Sequence, residues 1–194
     1  MTMSPNNNRS AVFLDRDGTL NEDHGYIHRI EDLVWIDGAK EAVQKLNEAG
    51  LPVIVVTNQA GVARGYYSED DVRRFHAHMQ SELNRVGADI DAFYFCPYHP
   101  EGSVPEYRRQ VPERKPGTGM FEAAMAAHHV DPKASYMVGD KNSDMEPGIA
   151  LGMTTFLVET GYGAFEKTNT RADYVVENLG AAVDRILILC STTP

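Results

Sequence analysis

A chain of 194 residues, 42% hydrophobic and 24% charged, has the composition of one globular domain with an ordinary core, which excludes a fibrous or largely disordered protein. Its formal net charge of -10 argues against a broad nucleic-acid or anionic-membrane surface, yet leaves room for a small phosphate held by local cations, a metal or backbone amides. The two cysteines, Cys96 and Cys190, form no disulfide framework and fit a reducing, cytoplasmic setting.

Residues 1–10 are polar, with no apolar stretch behind a basic start. They read as a flexible tail, neither a secretion signal nor a membrane span, ahead of one domain over residues 11–190. Ala11 to Leu14 is an apolar run too short for a helix and reads as a buried strand. It breaks at once into Asp15-Arg16-Asp17-Gly18-Thr19, which suits either a polar turn or an active-site edge. Leu20 to Asp37 is irregular and long enough for a hairpin-like flap. Ala39, Ala42, Val43, Leu46 and Ala49 then recur at helical spacing up to Gly50.

Leu51 to Val56 has the branched apolar run of a strand buried on both faces, and it ends in Thr57-Asn58-Gln59. Ser68 with Asp71 forms a capping box for a long helix closed by Gly87. Ile90 to Phe95 is a third strand, leading into a loop stiffened by prolines at 97, 100, 105 and 112. Met120 to His129 is helical, with Asp131-Pro132 as its expected stop. Ser135 to Val138 is a fourth strand that ends in Gly139-Asp140-Lys141, and a short helix follows to Leu151. Thr154 to Val158 and Tyr174 to Val176 are further strands, and Leu179 to Cys190 a last helix. Strand and helix alternate. The fold class is therefore α/β, a Rossmann-like doubly wound parallel sheet with helices on both faces.

In such a sheet all carboxyl ends share one edge, so Asp15/Asp17, Thr57/Asn58 and Asp140/Asp144 should converge there. Asp15 and Asp140, with a backbone carbonyl, make an all-oxygen site suited to Mg²⁺. With the charge so offset, Asp15 could attack phosphorus, and Asp17 could protonate the leaving alcohol and then activate water. Thr57, Asn58 and Lys115 would hold the equatorial oxygens.

Asp15-x-Asp17-Gly18-Thr19, Thr57, Lys115 and Gly139-Asp140 through Asp144 resemble, in order, the four motifs of the haloacid dehalogenase superfamily of phosphohydrolases. The resemblance runs from about Phe13 to Gly161, and the loops are most similar to a sugar-bisphosphate phosphatase branch that includes histidinol-phosphate phosphatases. It implies a HAD-like fold without a cap domain, with Asp15 as nucleophile and Asp17 as general acid and base. Mg²⁺ would lie on Asp15, the Asp17 carbonyl and Asp140. Asp23, His24, Gly25, Tyr26, Thr57, Asn58, Gln59 and Ala60 would contact substrate. Thr57 and Lys115 would steady the phosphoryl group, while Arg114 and Lys141 recognise the rest of a small phosphorylated sugar. Arg64 and His24 also suit loop ordering, and Asp144 suits support of Lys141.

That branch carries structural zinc in the loop after the third strand, as Cys-x-His and then Cys-x-Cys. Here Tyr98, Val111 and Glu113 replace three of the ligands, and His99 supplies only half a site with Cys96. Structural zinc needs four ligands and is not expected. A monomer is expected, with neither nucleic acid nor membrane as partner. A different class, a receiver module that stores an aspartyl-phosphate, shares an Asp, a Thr and a Lys around Mg²⁺; Asp17 beside the nucleophile favours turnover instead.

Overall fold

The computed structural model describes residues 9–192. Its centre is β1 (Val12–Leu14), a strand with every residue buried. β1 pairs in parallel with β2 (Val53–Asn58) on one side and β4 (Tyr136–Gly139) on the other. β3 (Ala92–Cys96) extends the sheet beyond β2, while β5 (Thr154–Val158) and β6 (Tyr174–Val176) extend it beyond β4. The order is β3-β2-β1-β4-β5-β6, parallel throughout.

Alternate residues of each strand point to opposite faces, so two cores form. Val12, Leu14, Val53, Val55 and Val138 pack with α1 (Ala39–Glu48), α2 (Glu69–Asn84) and α6 (Leu179–Thr192). Phe13, Ile54, Val56 and Met137 pack on the other face with α3 (Gly119–His128) and α4 (Asn142–Leu151). The expected doubly wound architecture is present. A short α5 (Gly163–Glu166) after β5 has no counterpart in the sequence reading.

Several boundaries move. β2 runs on to Asn58, so Thr57 and Asn58 lie within the strand rather than after it. α3 stops at His128, because His129 turns into the left-handed region at φ 54° instead of waiting for Asp131-Pro132. That turn lets Val130 bridge to Arg9, whose N–H donates to His129 O at 3.0 Å. Arg9 and Ser10 of the expected tail are thereby hydrogen-bonded to the domain, Ser10 through its hydroxyl to Ala134 O; residues 1–8 lie outside the described residues.

The flap over residues 20–37 is hairpin-like. Glu22 N–H donates to Val34 O at 2.8 Å and Ile36 N–H to Leu20 O at 3.0 Å, with a 3₁₀ turn at Ile30–Asp32 between them. Leu20 and Ile27 are buried and fasten it to the core on the α1/α2 side. Among the described residues, no helix is long and apolar enough to cross a membrane.

Candidate active site

The carboxyl ends of β1, β2 and β4 open on a cavity of about 340 Å³. Asp15, Asp17, Thr57, Lys115 and Lys141 line it, as do Asp23, Gly25, Tyr26, Asn58, Gln59, Ala60 and Arg114. Strand ends far apart in the chain, at Leu14, Asn58 and Gly139, thus meet in one crevice, as the shared edge of a parallel sheet requires. His24 is outside this set; it is exposed, and its ring meets Glu22 Oε2 at 2.8 Å. Tyr67, Ser143, Asp144 and Tyr162 also line the cavity, although no sequence motif assigns them to substrate.

Asp15 is 5% exposed, and its Oδ1 accepts a hydrogen bond from Lys115 Nζ at 2.8 Å. The same ammonium donates to Val56 O at 2.7 Å and lies 2.7 Å from Asp144 Oδ1. All three donors of Lys115 are thus engaged. Desolvation alone would lower its pKa, but the carboxylates of Asp144 and Asp15 outweigh that and the pKa is raised. The Asn58 side chain holds the Lys115 backbone in place, accepting from its N–H at 3.1 Å and donating to its carbonyl at 3.0 Å. Asp144, expected beside Lys141, accepts that residue's backbone N–H at 3.0 Å as part of the α4 capping box, yet its ion pair is with Lys115.

Asp140 is fully buried. Its Oδ2 accepts the Tyr162 N–H at 2.8 Å, whereas its Oδ1 is buried without a partner. Burial first, and then the charges of Asp15 and Asp144, push its carboxyl up to about 8. Burial pushes Asp144 up to about 6 against the pull of Lys115. One oxygen from each of Asp15, Asp140 and Asp144 falls within 4.8 Å of the others. Three crowded carboxylates with an orphaned, inward oxygen are short of positive charge, and a hard divalent cation with oxygen ligands fits that deficit. The turn between Asp15 and Asp140 is tight: Gly18 sits at φ 85°, and a Cβ there would lie 2.2 Å from Asp140 Oδ2.

Asp17 is held differently. Its Oδ1 accepts from Arg16 Nε and Asn21 Nδ2, each at 3.0 Å, and its Oδ2 from Arg16 Nη2 at 2.8 Å and Gln59 Nε2 at 3.0 Å. Gln59 also donates to Thr57 Oγ1 at 2.9 Å and accepts from Tyr67 OH at 2.8 Å. Thr57 and Asp17 are therefore bridged by one amide. Nothing in a lone glutamine after a strand announces such a bridge.

Lys141 reaches back over the flap. Its Nζ is 3.2 Å from Asp23 Oδ2, 3.9 Å from Asp140 Oδ2 and 4.4 Å from the centre of the Tyr162 ring. Desolvation opposes its charge, but Asp140, Asp15 and Asp23 together raise its pKa. Arg114 donates to Tyr98 O at 3.3 Å and so ties the cavity rim to the loop after β3.

The sequence and the fold are both shared with known hydrolases. The family model described as haloacid dehalogenase-like hydrolase matches residues 12–84, and a HAD-hydrolase-like model matches residues 113–182. The chain belongs to the haloacid dehalogenase-like hydrolases. It is 44% identical over 170 residues to the D-glycero-beta-D-manno-heptose-1,7-bisphosphate 7-phosphatase of Escherichia coli O6:H1, covering 87% of this chain and 90% of that protein. Identity to the enzyme of the same name from Pasteurella multocida is 44% over 172 residues, 88% of this chain and 93% of the relative. Among solved structures, the D,D-heptose 1,7-bisphosphate phosphatase from B. bronchiseptica, complexed with magnesium and phosphate, superposes with a TM-score of 0.84. That match has 27% identity and covers 93% of this chain and 99% of the other.

Proposed function

We propose that this chain is a single-domain, capless phosphatase that removes the 7-phosphate of D-glycero-D-manno-heptose 1,7-bisphosphate, releasing heptose 1-phosphate and inorganic phosphate. The observation that carries this reading is the meeting of Asp15, Asp17, Thr57, Lys115 and Lys141 on one cavity, with Asp140 buried behind it. Relatives of that name, 44% identical over most of the chain, support the substrate.

Asp15 attacks phosphorus, the ester P–O bond breaks, and Asp17 gives its proton to the leaving sugar oxygen. Water, losing a proton to Asp17, then attacks the aspartyl-phosphate, and the acyl-phosphate bond opens to return Asp15 and release phosphate. Lys115 fixes the nucleophile, and its charge, with the Thr57 hydroxyl, faces the equatorial oxygens. Asp15, Asp140 and the Asp17 carbonyl would hold Mg²⁺, which when bound offsets the repulsion between Asp15 and the phosphoryl group. Asp23, Gly25, Tyr26 and Ala60 wall the sugar, and Arg114 and Lys141 meet its second phosphate. Asn58 and Gln59 serve the substrate through the groups they hold.

Side-chain contacts brace the loop after β3, in which Tyr98, Val111 and Glu113 stand at three zinc-ligand positions of the branch. Arg108 Nε donates to Gly102 O at 2.6 Å, Arg109 lies 4.2 Å from the Tyr98 ring centre, and Tyr107 OH donates to Glu69 at 3.0 Å.

Phosphate release from heptose 1,7-bisphosphate and from histidinol phosphate, with and without chelator, tests the reading, and phosphorus NMR of the product shows which phosphate left. The bisphosphate should be turned over faster, only with Mg²⁺, and Asp15→Asn should lose at least about 1,000-fold in kcat. Faster turnover of histidinol phosphate would overturn the substrate, and an active Asp15→Asn the nucleophile.

A further inference from the structure

Arg16 is the largest side chain that the fold buries completely, at 0% exposure. Burying a guanidinium is costly unless its charge and its donors are matched. Among the described residues its one ion-pair partner is Asp17, bound through both Nε and Nη2. Its remaining contacts fix the guanidinium in the core. Nη2 donates to Ile27 O of the flap at 2.8 Å, Nη1 donates to His76 Nε2 at 3.3 Å, and the Phe75 ring centre is 4.7 Å from Cζ. His76, stacked on Phe93 at 4.6 Å between ring centres, is held rigidly in turn.

A side chain that served packing alone would gain nothing from a charge here, since an apolar residue of similar volume avoids the desolvation. The charge is instead spent on the one carboxylate that the proposed reaction needs to aim at a leaving oxygen. A bidentate guanidinium fixes the plane of a carboxylate as well as its position, which a lysine cannot do.

We propose that Arg16 is the positioning residue for Asp17: anchored by Ile27, His76 and Phe75, it orients the carboxylate for proton transfer and links that orientation to the seated flap. The inference rests on the reading of Asp17 as general acid.

The test exploits leaving-group chemistry. Arg16→Met and Arg16→Lys are assayed for kcat/KM on the alkyl phosphate heptose 1,7-bisphosphate and on p-nitrophenyl phosphate, whose leaving phenolate needs no proton. Expected is a fall of about 100-fold on the alkyl ester and less than about 5-fold on the aryl ester, within the span of general acid catalysis. An equal fall on both substrates, as a merely structural role would give, overturns the proposal, as does no fall on either. If Arg16→Met does not fold by thermal unfolding, Arg16→Lys, which keeps the charge and loses the fork, decides alone. Asp17→Asn is measured beside them. If it shows no leaving-group dependence, the general-acid reading fails and the proposal with it; if it shows the dependence and the Arg16 variants do not, only the proposal fails.

Discussion

Charge at the end of β1 is unbalanced by design of the site: Asp15, Asp140 and Asp144 crowd together, and Lys115 has no donor left over. Asp140 carries most of that imbalance, since its Oδ1 is buried and unpartnered. Asp140→Asn should therefore stabilise the metal-free protein at neutral pH by about 1 kcal/mol, by removing a buried carboxyl that the fold forces to take up a proton, while abolishing phosphate release. Urea unfolding in the presence of chelator reads this directly. A midpoint below that of the unaltered protein would show that the carboxylate is satisfied without a cation.

Two connections shape the cavity, the flap of residues 20–37 and the loop between β3 and α3. The loop is pinned by Arg108, Arg109 and Tyr107 to main chain, ring and α2. Dialysis against chelator followed by Mg²⁺ alone should restore full phosphate release, and a need for added zinc would contradict this account of the loop. Much at this scale was legible in the residues. The strand runs 53–56 and 154–158, the capping box at Ser68 and the polar strand ends all follow local rules, and they point to the sheet edge where the cavity lies. What escaped was long-range. Arg16 lies between two aspartates, where no local rule announces burial, and only the approach of Ile27, Phe75 and His76 from later segments buries it. Likewise His129 ends α3 because Val130 must meet Arg9, a partner 121 residues earlier that no helix-stop signal encodes.

For the molecule as a whole, His76 sets an acid limb of stability. Burial chiefly, and then the charge of Arg16, hold its pKa well below the ordinary 6.5. Below that pH the unfolded chain takes up a proton that the folded chain refuses, so stability falls as the pH drops, by up to about 1.4 kcal/mol per unit from this group. Urea midpoints between about pH 7.5 and 5 should decline less steeply for His76→Gln than for the unaltered protein. Equal slopes would mean that the imidazole is protonated within the fold.

The spread of the cavity along the chain has a bearing on synthesis. Asp15 leaves the ribosome well before Asp140 and the Tyr162 backbone that supports it. Phosphate release therefore reports a late event in the life of a nascent chain, and truncations ending before residue 162 should lack it, whatever structure their earlier strands have gained.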